Sequence, residues 1–156
     1  MNAQVWIAIL VGLAATIDDL SRRRIANWIP VAALAGGFGW QIGRNGWEGA
    51  LYALGGAVVG FAVFLIFYLL GGMGGGDVKL MAGFGALLGT GLLLEAALWT
   101  AGVGGILAVS VLGVKAARRW FDRGQAVGTV ERERQDSIPY APAITLGVWL
   151  SLVPKG

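Results

Sequence analysis

Apolar runs constrain the fold of this sequence more than any other feature. A bilayer core is crossed by roughly 20 consecutive apolar residues, with about 17 to 25 as the usual range. The longer runs reach this length, and the shorter ones reach it with a few flanking residues. We therefore predict an all-α integral membrane protein with six transmembrane helices, in which residues 1–156 form a single transmembrane domain. The six runs are Ala3–Ile17, Trp28–Ile42, Gly49–Leu70, Val78–Leu94, Ala96–Val114 and Ile138–Val153.

The composition agrees with a membrane protein. Hydrophobic residues make up 56% of the chain and charged residues 13%, which is about half the charged fraction of an ordinary soluble domain. Glycines at four-residue spacing let helix backbones approach closely in lipid. Two such pairs, Gly56 with Gly60 and Gly85 with Gly89, are candidates for contacts between helices in a compact bundle; the alternative for either pair is glycine that is merely tolerated in lipid.

The positions of lysine and arginine predict the orientation. Of the 12 basic residues, all but Arg44 and Lys155 lie in or directly beside the first, third and fifth connections between the apolar runs. Because cytoplasmic loops carry an excess of basic residues, these connections are predicted to be cytoplasmic and both termini non-cytoplasmic. Short outer connections are predicted at Gly43–Glu48 and Gly89–Glu95, and a long cytoplasmic one at Lys115–Ser137. The net charge of +3 then reflects topology and gives no support for a nucleic-acid partner.

Helix boundaries can be predicted on the cytoplasmic side. The first helix is expected to run to about Asp19, and the basic turn Ser21–Arg24 leads to Asn27. Asn27 is a favourable N-cap for the second helix, with Pro30 tolerated in its first turn.

The chain contains no cysteine and no histidine. Disulfides, zinc sites built from these residues, cysteine nucleophiles and histidine-dependent triads are therefore excluded. Catalysis would have to use carboxylates, hydroxyls, lysines or backbone groups.

Three of the nine acidic residues stand out, because Asp18, Asp19 and Asp77 lie at the cytoplasmic ends of apolar helices. An ionisable group in such a place is costly and indicates a functional site. A helix N-cap would account for Asp77, but it would not account for Gly71–Gly76, in which Met73 is the only side chain. Such a segment lets another backbone approach, as a peptide substrate must approach a catalytic carboxylate.

Aspartyl proteolysis needs a second carboxyl group beside the first, so that the two share one proton. Asp19 is the predicted partner of Asp77, and its neighbour Asp18 is the alternative, since the two side chains point about 100° apart on a helix. The carboxylate that is not used is expected to pair with the arginine run. A proton-coupled membrane transporter is the main alternative function, and a structural subunit of a membrane assembly is the third.

The motifs around these residues resemble those of type IV prepilin peptidases. Gly74-Gly75-Gly76-Asp77-Val78-Lys79 is similar to the Gly-x-Gly-Asp-x-Lys signature of that family. The segment from Asp19 to Asn27 is similar to its run of Asp, basic residues and Ile-Pro-Asn, with Ala26 in place of the proline. Ile138–Ala143 is similar to the motif that opens the family's last helix. The short basic turn lacks the cysteine-rich insert of larger members, so the chain resembles the peptidase-only branch of Flp/Tad pilus systems.

The resemblance implies an aspartic-type endopeptidase of the bacterial cytoplasmic (inner) membrane. The implied substrate is a prepilin with a hydrophobic helix and a short leader. Asp19 and Asp77 are the implied catalytic residues, and Gly74, Gly76 and Lys79 the implied substrate-binding residues. Neither a cofactor nor a metal is implied.

Overall fold

The structure, a computed structural model, describes residues 3–70, 73–121 and 140–153. The described residues form helices and no strand, which confirms the all-α prediction. The helices are α1 (Ala3–Arg22), α2 (Trp28–Leu69), α3 (Gly75–Phe121) and α4 (Ala141–Ser151). The first part of the long predicted connection Lys115–Ser137 belongs to α3, and its remainder lies outside the described residues.

Helix α2 reverses direction in its middle. Its 42 residues would form a rod of roughly 63 Å if the helix were straight. A Cβ placed on Gly49 would lie 3.0 Å from the backbone nitrogen of Ile42, although a straight helix would hold these residues about 10 Å apart. The reversal occurs at Gly46, whose φ of +57° is a conformation that glycine adopts at little cost.

Helix α3 reverses in the same way at Gly89, which has a φ of +69° and a ψ of 178°. A Cβ on Gly60 would lie 2.7 Å from the Met81 carbonyl oxygen and 3.5 Å from Leu93 Cδ1. In a straight helix, Met81 and Leu93 would be about 18 Å apart.

The two reversals divide the described chain into six helical segments. Both predicted outer connections fall at the reversals, but their extent was wrong. Gly43–Glu48 and Gly89–Glu95 each contain a single non-helical residue, and Glu95 lies in α3 instead of a loop. One positive-φ glycine is enough to turn the chain, so no longer loop is needed.

The second half of α2 packs on the first half of α3 through the glycine pairs predicted from the sequence. Gly56 faces the carbonyl group of Gly85, and a Cβ on Gly56 would also lie 3.1 Å from the carbonyl carbon of Gly89. Gly60 faces Met81 one turn away. The prediction that these glycines lie at helix contacts is confirmed.

Helices α1 and α4 run antiparallel along a polar seam. Thr145 Oγ1 donates to the Gly12 carbonyl oxygen at 3.2 Å, and Trp149 Nε1 donates to the Ala8 carbonyl oxygen at 3.1 Å. Thr16 Oγ1 donates to Thr145 Oγ1 at 3.2 Å. This seam places the first residues of α4 beside the last turn of α1.

A buried polar contact supports the reversal of α3. Gln4 Nε2 and Gln41 Nε2 both donate to the Leu87 carbonyl oxygen, at 2.9 and 3.2 Å. In a continuous helix this carbonyl would accept from the amide four residues later, beyond Gly89. The two buried glutamines therefore supply donors to a carbonyl group next to the reversal, where an apolar surrounding offers no water.

The outer surface of the bundle is apolar. Within the described residues, three helical stretches are long and apolar enough to cross a membrane, namely α1, α2 and Gly75–Ile106 of α3, while α4 is a shorter apolar helix. Large hydrophobic side chains on these helices are exposed, including Leu10, Ile17 and Leu98. The described fold is thus that of a membrane protein.

The glycine contact between α2 and α3 can be tested by adding one methyl group. Gly56→Ala should reduce the stability of the folded protein by about 1–3 kcal/mol, because the new Cβ would overlap the Gly85 carbonyl and the close-packed helices would have to separate. Gly39→Ala is the matched control, since no atom lies within 4 Å of a Cβ there. It should raise stability by about 0.5–1 kcal/mol through helix propensity. Thermal unfolding in detergent, followed by circular dichroism, measures both, and equal effects would contradict the packing argument.

Candidate active site

Helix α1 ends, and helices α2, α3 and α4 begin, at the same face of the bundle. Helix α1 ends there with Asp18 and Asp19 in its last turn, and Asp77 lies in the first turn of α3. The start of α4 reaches the same place, because Ala141 contacts Asp19. The three sequence motifs, which are far apart along the chain, therefore meet in one region.

Asp19 is held by the beginning of α4. Its carboxyl group is buried, with only 8% of the residue exposed, and its Oδ2 accepts a hydrogen bond from the Ala141 amide at 3.1 Å. This amide is one of those left without a partner in the first turn of a helix. Tyr140 occupies the N-cap position of α4, with a proline directly after Ala141 in the first turn. The last helix thus positions the first aspartate.

Asp77 does not occupy the N-cap position, which was the structural alternative to a catalytic role for this residue. Helix α3 begins at Gly75, so Gly74 occupies the N-cap position and Asp77 is the third helical residue. Asp77 Oδ2 accepts from the Gly74 amide at 3.1 Å, which is the contact that an acidic residue makes at this position of a capping box. Its other oxygen, Oδ1, is buried and has no hydrogen-bond partner among the residues that the structure describes.

The structure brings together the two carboxylates that the sequence selected. Asp19 and Asp77 come from different helices, both residues are less than 10% exposed, and their carboxyl groups are close enough for a Coulombic interaction. The described residues contain no group of three or more His, Cys, Asp or Glu side chains that could hold a metal ion. The site is a pair of acids at the meeting point of three helix ends.

Asp18 makes different contacts from Asp19. Its Oδ2 accepts from the Ala26 amide at 2.7 Å, and its Oδ1 lies 3.5 Å from Arg22 Nε. Asp18 therefore pairs with the arginine run, as was expected of whichever of the two adjacent aspartates is not catalytic.

The predicted substrate-binding residues border the acid pair. Gly74 is exposed beside the Asp77 carboxyl group, since a Cβ on it would lie 3.3 Å from Asp77 Oδ2. Gly76 faces the turn after α1, because a Cβ there would lie 3.2 Å from Ile25 Cβ. Lys79 is exposed and donates from Nζ to Asn27 Oδ1 at 3.1 Å. Two of the three therefore contact the turn between α1 and α2.

Asn27 occupies the predicted N-cap position of α2, but its side chain does not cap the helix. Its φ of −60° and ψ of −23° are helical values, and its side chain makes no capping bond. An N-cap side chain reaches the helix amides from a β-region backbone, so this conformation directs Asn27 elsewhere, to Lys79. Pro30 lies in the first turn of α2, as predicted.

Sequence reasoning gave no role to two contacts of the site. The Ala141 amide holds Asp19, and Ile25 packs against Gly76. The motif Ile138–Ala143 was recognised as similar to a family motif, but neither its pattern nor its spacing indicated which group it contacts.

The contact between Ile25 and Gly76 gives a prediction with its own control. Gly76→Val should lower stability by about 1–3 kcal/mol, because its side chain must displace Ile25 from a packed contact. Ile25→Ala in the same chain should recover a measurable part of this loss by making room. Thermal unfolding of the two single variants and the double variant measures the coupling. Strictly additive losses would show that the two residues do not share this space.

The comparisons with known proteins give one family match. The chain matches the model of the type IV leader peptidase family over residues 6–109. This range includes Asp19 and Asp77 and ends before α4. No curated protein and no solved structure gives a significant match to the chain.

Proposed function

Because the chain belongs to the type IV leader peptidase family, we propose that it is an intramembrane aspartyl endopeptidase. In this proposal it removes the leader peptide of type IV or Flp-like prepilins at the cytoplasmic face of the membrane. The observation that supports it best is the pair of buried carboxyl groups, Asp19 and Asp77, beside exposed backbone at Gly74 and Gly75. An aspartyl peptidase needs such a pair within reach of an extended peptide.

The proposed chemistry is hydrolysis with one shared proton. One ionised carboxylate removes a proton from water as the water oxygen attacks the scissile carbonyl carbon, and the other, protonated, carboxyl donates to the carbonyl oxygen. The peptide C–N bond then breaks, the leaving amine takes up the proton that the first carboxylate removed from water, and the second carboxylate recovers its proton as the carbonyl forms again. Asp77 Oδ1 is suited to contact water or substrate, because it is buried and unpaired while Oδ2 is held by Gly74.

The proposed substrate path uses the glycines before Asp77. A leader in extended conformation would lie against Gly74 and Gly76, where the absence of side chains allows backbone to approach backbone. Lys79 would either hold the turn between α1 and α2 through its hydrogen bond to Asn27 or bind acidic and polar groups of the leader. The hydrophobic helix of the prepilin would remain in the bilayer beside the apolar surface of the bundle.

We further propose that all six helical segments cross the cytoplasmic membrane, with the acid pair at the cytoplasmic side. The reversals at Gly46 and Gly89 support alternating directions of the segments, and the basic turn Arg22–Arg24 lies next to the site. α4 has only 11 residues in its described helix, so this span is completed by flanking residues or by a thin local bilayer.

The position of the carboxylates favours a peptidase over a proton-coupled transporter. A transporter is expected to hold its ionisable groups near the middle of the bilayer, often at broken helices. Asp19 lies in the last turn of α1 and Asp77 in the first turn of α3. An acid pair at helix ends can reach a leader that emerges from the membrane.

The catalytic assignment is tested by removing one charge at a time. Asp19→Asn and Asp77→Asn should each abolish removal of the leader from a co-expressed Flp-type prepilin, because an amide can neither activate water nor share the proton. Glu48→Gln is the matched control, since Glu48 is an exposed carboxylate in α2, and it should retain full cleavage. Immunoblotting of the prepilin and of the membrane-bound enzyme measures both. Substantial processing by either Asn variant, or loss of activity in EDTA that a divalent ion restores, would refute the two-carboxylate mechanism.

The topology is tested with single cysteines, since the chain contains none. Trp47→Cys, at an exposed position next to the first reversal, should react with a membrane-impermeant maleimide in intact spheroplasts. Arg24→Cys, at an exposed position of the basic turn, should react only after the membrane is permeabilised. Labelling of both positions from the same side would contradict the proposed crossings between them.

A further inference from the structure

The turn between α1 and α2 is a strained segment that is held at both of its ends. Arg23 has a φ of +51°, in the left-handed region that residues with a Cβ rarely adopt. Its amide donates to the Asp19 carbonyl oxygen at 2.8 Å, which ends α1 on the residue of the acid pair. A turn with this backbone persists only if other contacts fix it.

Asp18 supplies the central contact. Its carboxylate accepts the Ala26 amide at 2.7 Å, across eight residues of sequence, and also pairs with Arg22 at 3.5 Å. Ala26 stands where the family resemblance places a proline, which has no amide hydrogen to donate. Replacement of that proline leaves an amide near the start of α2 that needs an acceptor, and Asp18 provides it.

The residues on either side of Ala26 dock onto the beginning of α3. Ile25 packs against Gly76, with 3.2 Å from its Cβ to a Cβ placed there. Asn27 Oδ1 accepts from Lys79 Nζ at 3.1 Å. These contacts flank Asp77, so the conformation of the turn and the position of the second aspartate depend on each other.

We infer that Asp18 is a positioning residue: by accepting the Ala26 amide it fixes the turn that docks on Gly76 and Lys79 and so sets Asp77 relative to Asp19. This inference rests on the proposed function for its catalytic consequence only. It assigns Asp18 a purpose different from the alternative catalytic role that the sequence left open. The positioning role requires only a hydrogen-bond acceptor at residue 18, whereas a catalytic role requires an acid.

Docking of the turn can be measured without any substrate. Ile25→Cys places a single thiol at the contact with Gly76, and its rate of maleimide labelling in detergent reports how often the turn opens. Asp18→Ala should speed this labelling about tenfold, because a hydrogen bond to a charged group is lost. Asp18→Asn keeps an acceptor oxygen and should stay within about threefold of the parent. A thiol at the distant buried Ala53 is the control, and its labelling should not change.

A second arm isolates the bond itself. Ala26→Pro removes the amide hydrogen, so Asp18→Ala should have little further effect on labelling in that background. The inference is overturned if Asp18→Ala speeds labelling as much in the Ala26→Pro chain as in the chain with the native Ala26. It is also overturned if Asp18→Ala leaves labelling unchanged in the chain with the native Ala26.

The catalytic arm uses cleavage of an Flp-type prepilin. Asp18→Ala should lower kcat with KM nearly unchanged, because the leader still binds while the acid pair is misaligned, and Asp18→Asn should retain most of the activity. If Asp18→Asn is as inactive as Asp19→Asn, Asp18 is itself catalytic and the inference is wrong. If the wild-type chain cleaves no prepilin, the proposed function fails, while the labelling arms still decide the role of Asp18.

Discussion

The rest of this structure depends on how three helices begin at one face of an apolar bundle. Each helix start presents amides without helical partners, and a membrane offers few acceptors. Three aspartates accept one amide each: Asp18 that of Ala26 before α2, Asp77 that of Gly74 before α3, and Asp19 that of Ala141 in α4. The bonds that start the helices therefore also gather the three acids, so the fold and the site share the same contacts.

Much of this arrangement can be predicted from the sequence, because it follows from local patterns. Apolar runs of membrane length predict the helices, and the glycine pairs around Gly56 and Gly85 predict a close contact because only small residues permit it. Acidic residues at helix ends are conspicuous in a chain with 13% charged residues. The motifs then select Asp19 and Asp77, which the structure places together. Their catalytic role remains a prediction.

Contacts that join distant parts of the chain could not be predicted. Gln4 and Gln41 bond to Leu87 across 83 and 46 residues, and no periodicity in the sequence indicates such a meeting. The role of Asp77 as a third helical residue was missed because Asp is favourable at both positions. Asn27 was assigned a cap from its residue type, but its helical backbone and the nearby Lys79 determine its bond. In each case tertiary context selected among contacts that the local sequence allows.

Capping alone does not account for Asp77. An acidic residue that caps a helix is equally effective when its second oxygen faces water, yet Asp77 is only 7% exposed and its Oδ1 has no partner within the described part of the chain. A buried polar atom without a hydrogen bond costs about 1–3 kcal/mol, and such atoms are rare enough to require an explanation. The neighbouring Asp19 carboxyl group adds a Coulombic interaction between like groups. A residue selected only for capping would avoid the unpaired oxygen and the nearby like group by being exposed or neutral. Two carboxyl groups that share a proton and bind water, in contrast, must lie close together. The burial of Asp77 beside Asp19 therefore favours a catalytic pair over a structural cap.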